Sequence, residues 1–179
     1  MLRVKDSLVL IIDIQEKLVK ACKDFETITS KTTALATAAT LLSIPIVVTE
    51  QYPQGLGSTV EQLKSAIGDA DFVEKTNFSA LKEPNFKEIL KKYNKKQILL
   101  CGIETHICVY QTCMELLTEG YEVYIVKDCC SSRNEFEENT GFELMKSEGA
   151  KLTCVEISLF EWLESSKHPQ FKDIQKLIK

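Results

Sequence analysis

Glycine and proline are scarce in this sequence of 179 residues, which has seven glycines and four prolines. No glycine occurs in the segment DIQEKL (residues 13–18) that follows the first apolar run. A dinucleotide-binding fold carries Gly-x-Gly-x-x-Gly at this place, because its backbone must approach the pyrophosphate closely. The sequence therefore lacks the basis for a dinucleotide cofactor bound in this way, and a glycine-rich nucleotide phosphate loop is missing as well.

Histidine is rarer still, and the cysteines do not have the spacing of a zinc site. The sequence has two histidines, His106 and His168, and no Cys-x-x-Cys spacing, which argues against a structural zinc site. Seven cysteines are scattered along the chain, an odd number that cannot form a complete disulfide framework. Free thiols are typical of a reducing compartment, and no cleavable apolar leader precedes Val4, so we expect a cytoplasmic protein.

The sequence also has no excess of positive charge and no long apolar run. Lys and Arg number 22 against 26 Asp and Glu, which gives a formal net charge of −4. Proteins that bind nucleic acid through the phosphate backbone carry a basic surface, so no nucleic-acid partner is expected. No apolar run reaches the roughly 18 residues that a membrane-spanning helix needs, so no membrane partner is expected either.

What the sequence does contain is a regular alternation of strands and helices. Hydrophobic residues make up 44% of the chain, an ordinary content for a single globular domain, here residues 1–179. Short apolar runs that predict strands lie at residues 7–13, 46–49, 72–74, 98–100, 121–127 and 152–157. Helical periodicity separates these runs, which predicts an α/β fold with a six-stranded parallel sheet covered on both faces. An amphipathic tail at about 166–179 is expected to dock on its own domain or on a neighbouring subunit.

Three chemically useful residues each follow a predicted strand, namely Asp13, Lys75 and Cys108. The carboxyl ends of parallel strands meet at one edge of the sheet, where ligands bind in open α/β folds. There an acid can take the thiol proton and an ammonium can stabilise the thiolate. We expect Cys108 to lie in the first turn of a helix, with a pKa below the free value of about 8.5. Structural alternatives remain open: Asp13 as a helix N-cap, Lys75 as a surface lysine and Cys108 as a buried small hydrophobe.

Other polar residues near these strand ends have two interpretations. Glu50, Gln51 and Tyr52 follow the second strand, where they either line the same cleft or only shape the loop. His106 lies two residues before Cys108, which allows a Cys-His dyad as an alternative. Such a dyad normally takes its histidine from a distant part of the chain.

Four motifs together resemble the isochorismatase-like cysteine hydrolases, a family that includes nicotinamidases and N-carbamoylsarcosine amidohydrolases. The motifs are LIIDIQ at 10–15, VEKTNFSA at 73–80, CGIETHICVYQT at 101–112 and VVTEQYPQGLG at 47–57, the last typical of the isochorismatase-domain branch. The resemblance implies a Rossmann-like three-layer sandwich, a homo-oligomer and a triad of Asp13, Lys75 and Cys108. It also implies a cis peptide bond between Ile103 and Glu104, and an oxyanion hole formed by the Glu104 and Cys108 amides. The substrate-pocket residues expected from the loops are Gln15, Glu50, Tyr52, Phe78, Ile103 and His106.

The activity that the resemblance implies is hydrolysis of a small amide or related C–N bond through a thioester. Nicotinamidases bind a metal through Asp-x-His and a further histidine, whereas TEQYPQG at 49–55 has no histidine. We therefore expect no metal and no cofactor, and we do not expect nicotinamide to be the substrate. Isochorismatase itself lacks the cysteine nucleophile. The alternative is a catalytically silent binding or scaffold protein on the same fold. Some relatives in this branch are labelled ribonucleases, but the acidic charge of this sequence does not favour RNA binding. A nitrilase-type triad would require a longer chain and a different cysteine turn.

Overall fold

The computed structural model describes residues 1–179, in which six strands alternate with helices. The strands are β1 (Ser7–Ile12), β2 (Ile46–Gln51), β3 (Asp71–Lys75), β4 (Gln97–Ile103), β5 (Glu122–Ser131) and β6 (Lys151–Thr153). The α-helices are α1 (Glu16–Val19), α2 (Phe25–Leu41), α3 (Pro53–Leu56), α4 (Glu61–Lys64), α5 (Pro84–Tyr93), α6 (Tyr110–Thr118), α7 (Glu135–Ser147), α8 (Val155–Leu163) and α9 (Phe171–Lys176). Short 3₁₀ turns occur at Val4–Asp6 and Ala80–Lys82, and a π-helical turn occurs at Thr105–Val109.

The six strands form one sheet in the order β3-β2-β1-β4-β5-β6, and every neighbouring pair is parallel. All residues of β1 and β4 are buried, as expected for central strands that helices cover on both faces. The predicted α/β fold with a six-stranded parallel sheet is therefore confirmed.

Helices cover the sheet and complete a three-layer sandwich. Helix α2 packs with α4 and α8, while α6 packs with α7. Buried hydrophobic side chains from the sheet and the helices form one connected cluster. In α2 the buried positions include Ala36, Ala38 and Ala39, small side chains that let the helix lie close to the strands. In α9 the side chain of Ile174 is buried, so the amphipathic tail docks on its own chain.

The predicted sixth strand is only partly correct. Residues 152–157 were expected to be extended, but β6 ends at Thr153 and α8 begins at Val155. The carboxylate oxygen Oδ1 of Asp128 accepts a hydrogen bond from the Val155 N–H at 2.9 Å, which satisfies a free donor at the helix start. Ile157, expected in a buried strand, lies on an exposed face of α8. A side chain from β5 thus decides where this helix begins.

None of the helices is both long enough and apolar enough to cross a lipid bilayer.

Candidate active site

The sheet topology brings the three candidate catalytic residues to one edge. Asp13 directly follows β1, Lys75 is the last residue of β3, and Cys108 lies in the Thr105–Val109 turn that follows β4. Strand β1 lies between β2 and β4, and β3 is the other neighbour of β2. The carboxyl ends of these strands therefore surround a small volume in which Asp13, Lys75 and Cys108 meet.

Asp13 and Lys75 form a fully buried ion pair. The Lys75 Nζ atom lies 2.6 Å from Asp13 Oδ2, and both side chains are 0% exposed. Thr49 donates its hydroxyl hydrogen to Asp13 Oδ1 at 2.6 Å. Burying two opposite charges is tolerated when they are paired and their remaining lone pairs and protons are hydrogen-bonded. The ammonium beside Oδ2 and the Thr49 hydroxyl at Oδ1 together hold the carboxylate in one orientation.

The Lys75 ammonium has two further oxygen partners. Gln51 Oε1 accepts a hydrogen bond at 2.6 Å, and the backbone carbonyl of Asn77 accepts one at 3.3 Å. The sequence reasoning assigned no role to Thr49 or Asn77 and left Gln51 between a cleft and a loop role. Strand register explains the contact, since Gln51 pairs with Lys75 across β2 and β3. The strand order is needed to predict these contacts, because β2 lies between β1 and β3 and so brings Thr49 to Asp13 and Gln51 to Lys75.

The Cys108 thiol lies close to both members of the ion pair. The Asp13 carboxylate and the Lys75 ammonium both shift the pKa of the thiol, and the residue is 8% exposed. Cys108 lies in a π-helical turn before α6, not in the first turn of the α-helix as expected. The nearness of a carboxylate, an ammonium and a thiol permits proton transfer from the sulfur to Asp13.

The predicted lowering of the Cys108 pKa is wrong. Burial, followed by the charge of the Asp13 carboxylate, raises the pKa of the thiol to about 12, and the Lys75 ammonium opposes this only in part. Burial also raises the pKa of Asp13, although Lys75, Thr49 and Cys108 all oppose it. A raised pKa makes this carboxylate a stronger base. The resting site therefore holds a protonated thiol beside a base, and the thiolate forms when Asp13 accepts the proton.

Glu104 provides a free amide beside the turn. The Ile103–Glu104 peptide bond is cis, and the Glu104 N–H donates to no acceptor of the chain. The Glu104 carbonyl accepts from the amides of Ile107 and Val109 at 3.1 and 3.3 Å, while its carboxylate pairs with Arg133 Nε at 2.8 Å. An unpaired N–H next to a nucleophile is the kind of donor that stabilises a developing oxyanion.

Helix α7 and the residue that follows β5 pack against the Thr105–Val109 turn. At Gly141 in α7 a Cβ atom would lie 3.1 Å from the Cα of His106, so the helix approaches the backbone of the turn closely. His106 Nδ1 lies 2.9 Å from Ser132 Oγ, and its Nε2 lies 3.7 Å from Glu137 Oε2. Both ring nitrogens thus have partners other than the Cys108 sulfur, and the alternative Cys-His dyad is not formed.

Two of the expected pocket residues have structural partners. Gln15 is fully buried, and its side-chain amide bonds to the N–H and C=O of Gln51 and to the carbonyl of Gly57. Glu50 Oε1 accepts from the backbone N–H and the hydroxyl of Thr59, at 2.6 and 2.7 Å. Both side chains hold the loop after β2, and their contact with a substrate stays a prediction.

The other expected pocket residues divide into buried and exposed ones. Ile103 is fully buried in β4, whereas Tyr52 and Phe78 are 56% and 53% exposed. Tyr52 lines a depression of about 230 Å³ that also contacts Lys75. Exposed aromatic rings at the strand ends can receive an apolar substrate group, but their role in the pocket stays a prediction.

The candidate site is not distinguished by a large cavity or by a cluster of side chains that could bind a metal. A larger cavity of about 750 Å³ lies between α1, α2 and α4 and contains none of the three residues. No group of three or more His, Cys, Asp or Glu side chains is placed to hold a metal ion. Whether the protein uses a metal or cofactor stays a prediction.

Comparisons with known proteins agree with this architecture. Residues 7–157 match the isochorismatase domain. Isochorismatase domain-containing protein 2 of Xenopus laevis is 38% identical over 174 residues, which cover 97% of this chain and 84% of that protein. The structure of the MAR1 ribonuclease from Caenorhabditis elegans has a TM-score of 0.94 and 39% identity, over 99% of this chain and 91% of that one.

A third similar protein has a small molecule attached to it. The structure of YcaC from Pseudomonas aeruginosa with hexane-2,5-diol and covalent acrylamide has a TM-score of 0.93 and 25% identity, over 98% of this chain and 90% of that one. The family match covers most of the chain, and the similarity to the Xenopus relative covers 97% of it. This chain belongs to the isochorismatase family.

Proposed function

We propose that this protein is a cysteine-dependent hydrolase that cleaves a small amide or related C–N bond through a thioester. The observation that supports the proposal is the contact between the Cys108 thiol, the Asp13 carboxylate and the Lys75 ammonium in one buried site. Membership of the isochorismatase family supports hydrolase chemistry in general. The three groups together supply the nucleophile, the base and the charge that an acyl transfer to sulfur requires.

In the first half of the reaction Asp13 takes the proton from Cys108 Sγ as the sulfur attacks the carbonyl carbon. The S–C bond forms, and the negative charge develops on the carbonyl oxygen, which the Glu104 and Cys108 amides stabilise. Asp13 then gives the proton to the leaving nitrogen as the C–N bond breaks. Because burial raises the pKa of the thiol to about 12, we expect proton removal to accompany the attack of the sulfur.

In the second half water cleaves the thioester. Asp13 takes a proton from the water, hydroxide adds to the thioester carbon, and the S–C bond breaks. The same proton returns to Cys108 Sγ, so the carboxylic acid leaves and the thiol is regenerated. The Lys75 ammonium, which lies 2.6 Å from Asp13 Oδ2 in this structure, offsets the negative charge that appears on sulfur in both halves.

The chain contains an internal control for the reactivity of Cys108. Cys22 is 7% exposed and Cys108 is 8% exposed, and in both cases the thiol pKa is raised to about 12. No lysine and no aspartate is among the charges that shift the pKa of Cys22, which are those of Glu104, Arg133 and Glu138. If exposure and thiol pKa alone set reactivity, the two thiols would react at similar rates. General base catalysis by Asp13 predicts that Cys108 reacts about 100-fold faster or more.

Acrylamide is a suitable probe, because it adds to thiols and the YcaC structure contains a covalent acrylamide. The sulfur bonds to the terminal vinyl carbon, and a proton goes to the neighbouring carbon. Peptide mass spectrometry near neutral pH gives the rate at each cysteine. We expect fast labelling of Cys108, and we expect Asp13→Asn to slow it to the rate of Cys22. Equal rates at Cys108 and Cys22 in the unmodified protein would reject the proposal in favour of a silent binding or scaffold protein.

Turnover is tested with a panel of small uncharged amides and a short RNA. Cys108→Ala should abolish any amide hydrolysis, and Cys22→Ala should leave it unchanged. The RNA is included because a similar structure bears the name of a ribonuclease. The net charge of −4 does not favour RNA binding. RNA cleavage that persists in Cys108→Ala, without amide hydrolysis in the unmodified protein, would replace the proposal with a nuclease.

Three broader expectations stay predictions. These are a single domain over residues 1–179, a homo-oligomer and a cytoplasmic location. Light scattering in solution measures the oligomeric state directly.

A further inference from the structure

Gln51 makes one of the shortest contacts to the Lys75 ammonium. Its Oε1 atom lies 2.6 Å from Nζ, the same distance as the Asp13 carboxylate. The orientation of the amide is determined by its other end, because Nε2 donates to the carbonyl of Thr76 at 2.9 Å. A flipped amide would place two donors against the ammonium, so the oxygen faces Lys75.

The backbone of Gln51 is held as firmly as its side chain. Gln51 and Lys75 are paired in the β2–β3 register, so their side chains leave the sheet side by side. The Gln15 side chain accepts from the Gln51 N–H at 2.7 Å and donates to the Gln51 C=O at 3.0 Å. Gln15 therefore fixes the end of β2 from the opposite side. A rigid acceptor restricts the buried ammonium to one position.

A neutral acceptor at this place has an electrostatic consequence. An ammonium that is 0% exposed needs oxygen contacts to remain charged, since burial without partners disfavours the charged form. A second carboxylate would supply a contact but would also add a negative charge beside the sulfur. An amide oxygen solvates the ammonium and adds no charge, so the positive charge of Lys75 remains available to Asp13 and to the developing thiolate.

We propose that Gln51 is a positioning residue, which holds the Lys75 ammonium between Asp13 and Cys108 through its amide oxygen. This inference rests on the proposed function, because it assigns Gln51 a role in activating the same sulfur. Gln51 acts through Lys75 and not on the substrate.

The test is the pH dependence of Cys108 labelling by acrylamide, from about pH 6 to about pH 9. A thiol without a base reacts as its thiolate, so well below its pKa its rate rises about tenfold per pH unit, and Cys22 supplies this reference. Assistance from Asp13 gives Cys108 a flatter profile. Gln51→Met keeps the length of the side chain and removes the oxygen. It should lower the rate near neutral pH by about 10- to 100-fold and steepen the profile toward that of Cys22.

Gln54→Met is the matched control, since Gln54 is an exposed residue of the neighbouring helix α3. It should leave both the rate and the profile unchanged. Gln51→Glu is the second variant, because it retains an oxygen but adds a negative charge. It should keep the flat profile and lower the rate about tenfold. Circular dichroism confirms that each variant is folded.

The outcomes separate this inference from the proposed function. A steep profile in the unmodified protein, matching Cys22, rejects the proposed function itself. A flat profile in the unmodified protein that Gln51→Met retains at full rate rejects the role of Gln51 alone. If Gln51→Met does not fold, an unchanged labelling rate in Gln51→Glu rejects the role of Gln51. A merely structural effect of Gln51→Met would lower the rate equally at every pH and leave the shape of the profile unchanged. That result also rejects the role of Gln51.

Discussion

Replacing Lys75 by methionine tests whether the Asp13–Lys75 pair is a buried charge pair. Methionine has a similar length but no charge, so the substitution leaves the Asp13 carboxylate buried without its ammonium. Removal of one partner of a buried ion pair costs about 3 to 5 kcal/mol of the free energy of unfolding. Because both side chains are 0% exposed and lie 2.6 Å apart, we expect a value in this range near neutral pH.

The assay is equilibrium unfolding in urea. With a denaturant dependence of about 2 kcal/mol per molar, a loss of about 4 kcal/mol lowers the midpoint by about 2 M. Lys82→Met is the matched control, since the Lys82 ammonium pairs with Glu115 at 2.9 Å but its side chain is 61% exposed. An exposed pair contributes about 0 to 1 kcal/mol, so the control midpoint should barely move.

The pH dependence gives a second, independent readout. Burial raises the pKa of Asp13, and loss of the ammonium that opposes this raises it further. A carboxyl group whose pKa is higher in the folded state adds stability below its unfolded pKa, and this contribution is lost as the pH rises through the folded pKa. The cost of Lys75→Met should therefore be larger near pH 7 than near pH 5. The double variant Asp13→Asn with Lys75→Met has no buried charge at this place. It should recover most of the free energy of unfolding at both pH values.

Two results would refute this reasoning. One is a cost of Lys75→Met below about 1 kcal/mol near neutral pH, the value of an exposed pair. The other is a cost that does not change between acidic and neutral pH, since the uncompensated charge on Asp13 must disappear on protonation.

Two predictions concern the framework around the site. Gly102 has a φ of 127°, and a Cβ there would lie 2.0 Å from the Ile12 carbonyl oxygen, so Gly102→Ala should destabilise the protein by about 3 kcal/mol or more in urea unfolding. A change below about 1 kcal/mol would contradict the close approach of β4 to β1. Asp128→Ala removes the acceptor for the Val155 N–H and should lower the melting temperature by about 3 °C, measured by calorimetry. Asp173→Ala, which removes only an exposed pair with Lys176, should change it little, and an equal loss in both variants would contradict the capping role.

The pair of cysteines with similar exposure shows why pKa alone does not find a reactive thiol. Burial raises the pKa of Cys22 and of Cys108 to the same value, about 12. What distinguishes Cys108 is a carboxylate and an ammonium that both lie close enough to its sulfur to shift its pKa. Proton acceptance at the moment of attack requires a nearby base and does not require a low resting pKa.

The sequence by itself determined the alternation of buried strands and helices, because apolar runs and helical periodicity are patterns of neighbouring residues. It also predicted that Asp13, Lys75 and Cys108 would meet, since the carboxyl ends of parallel strands share one edge. The tertiary structure alone decided the strand order β3-β2-β1-β4, which brings Thr49 to Asp13 and Gln51 to Lys75.

Burial and distant contacts account for the remaining differences. The Cys108 pKa rises because desolvation and the Asp13 charge outweigh the lysine, a balance that depends on how the site is packed. Helix α8 begins at Val155 because Asp128, 27 residues earlier in the chain, accepts its amide hydrogen. No local pattern encodes these effects, since each depends on residues that become neighbours only when the sheet has formed.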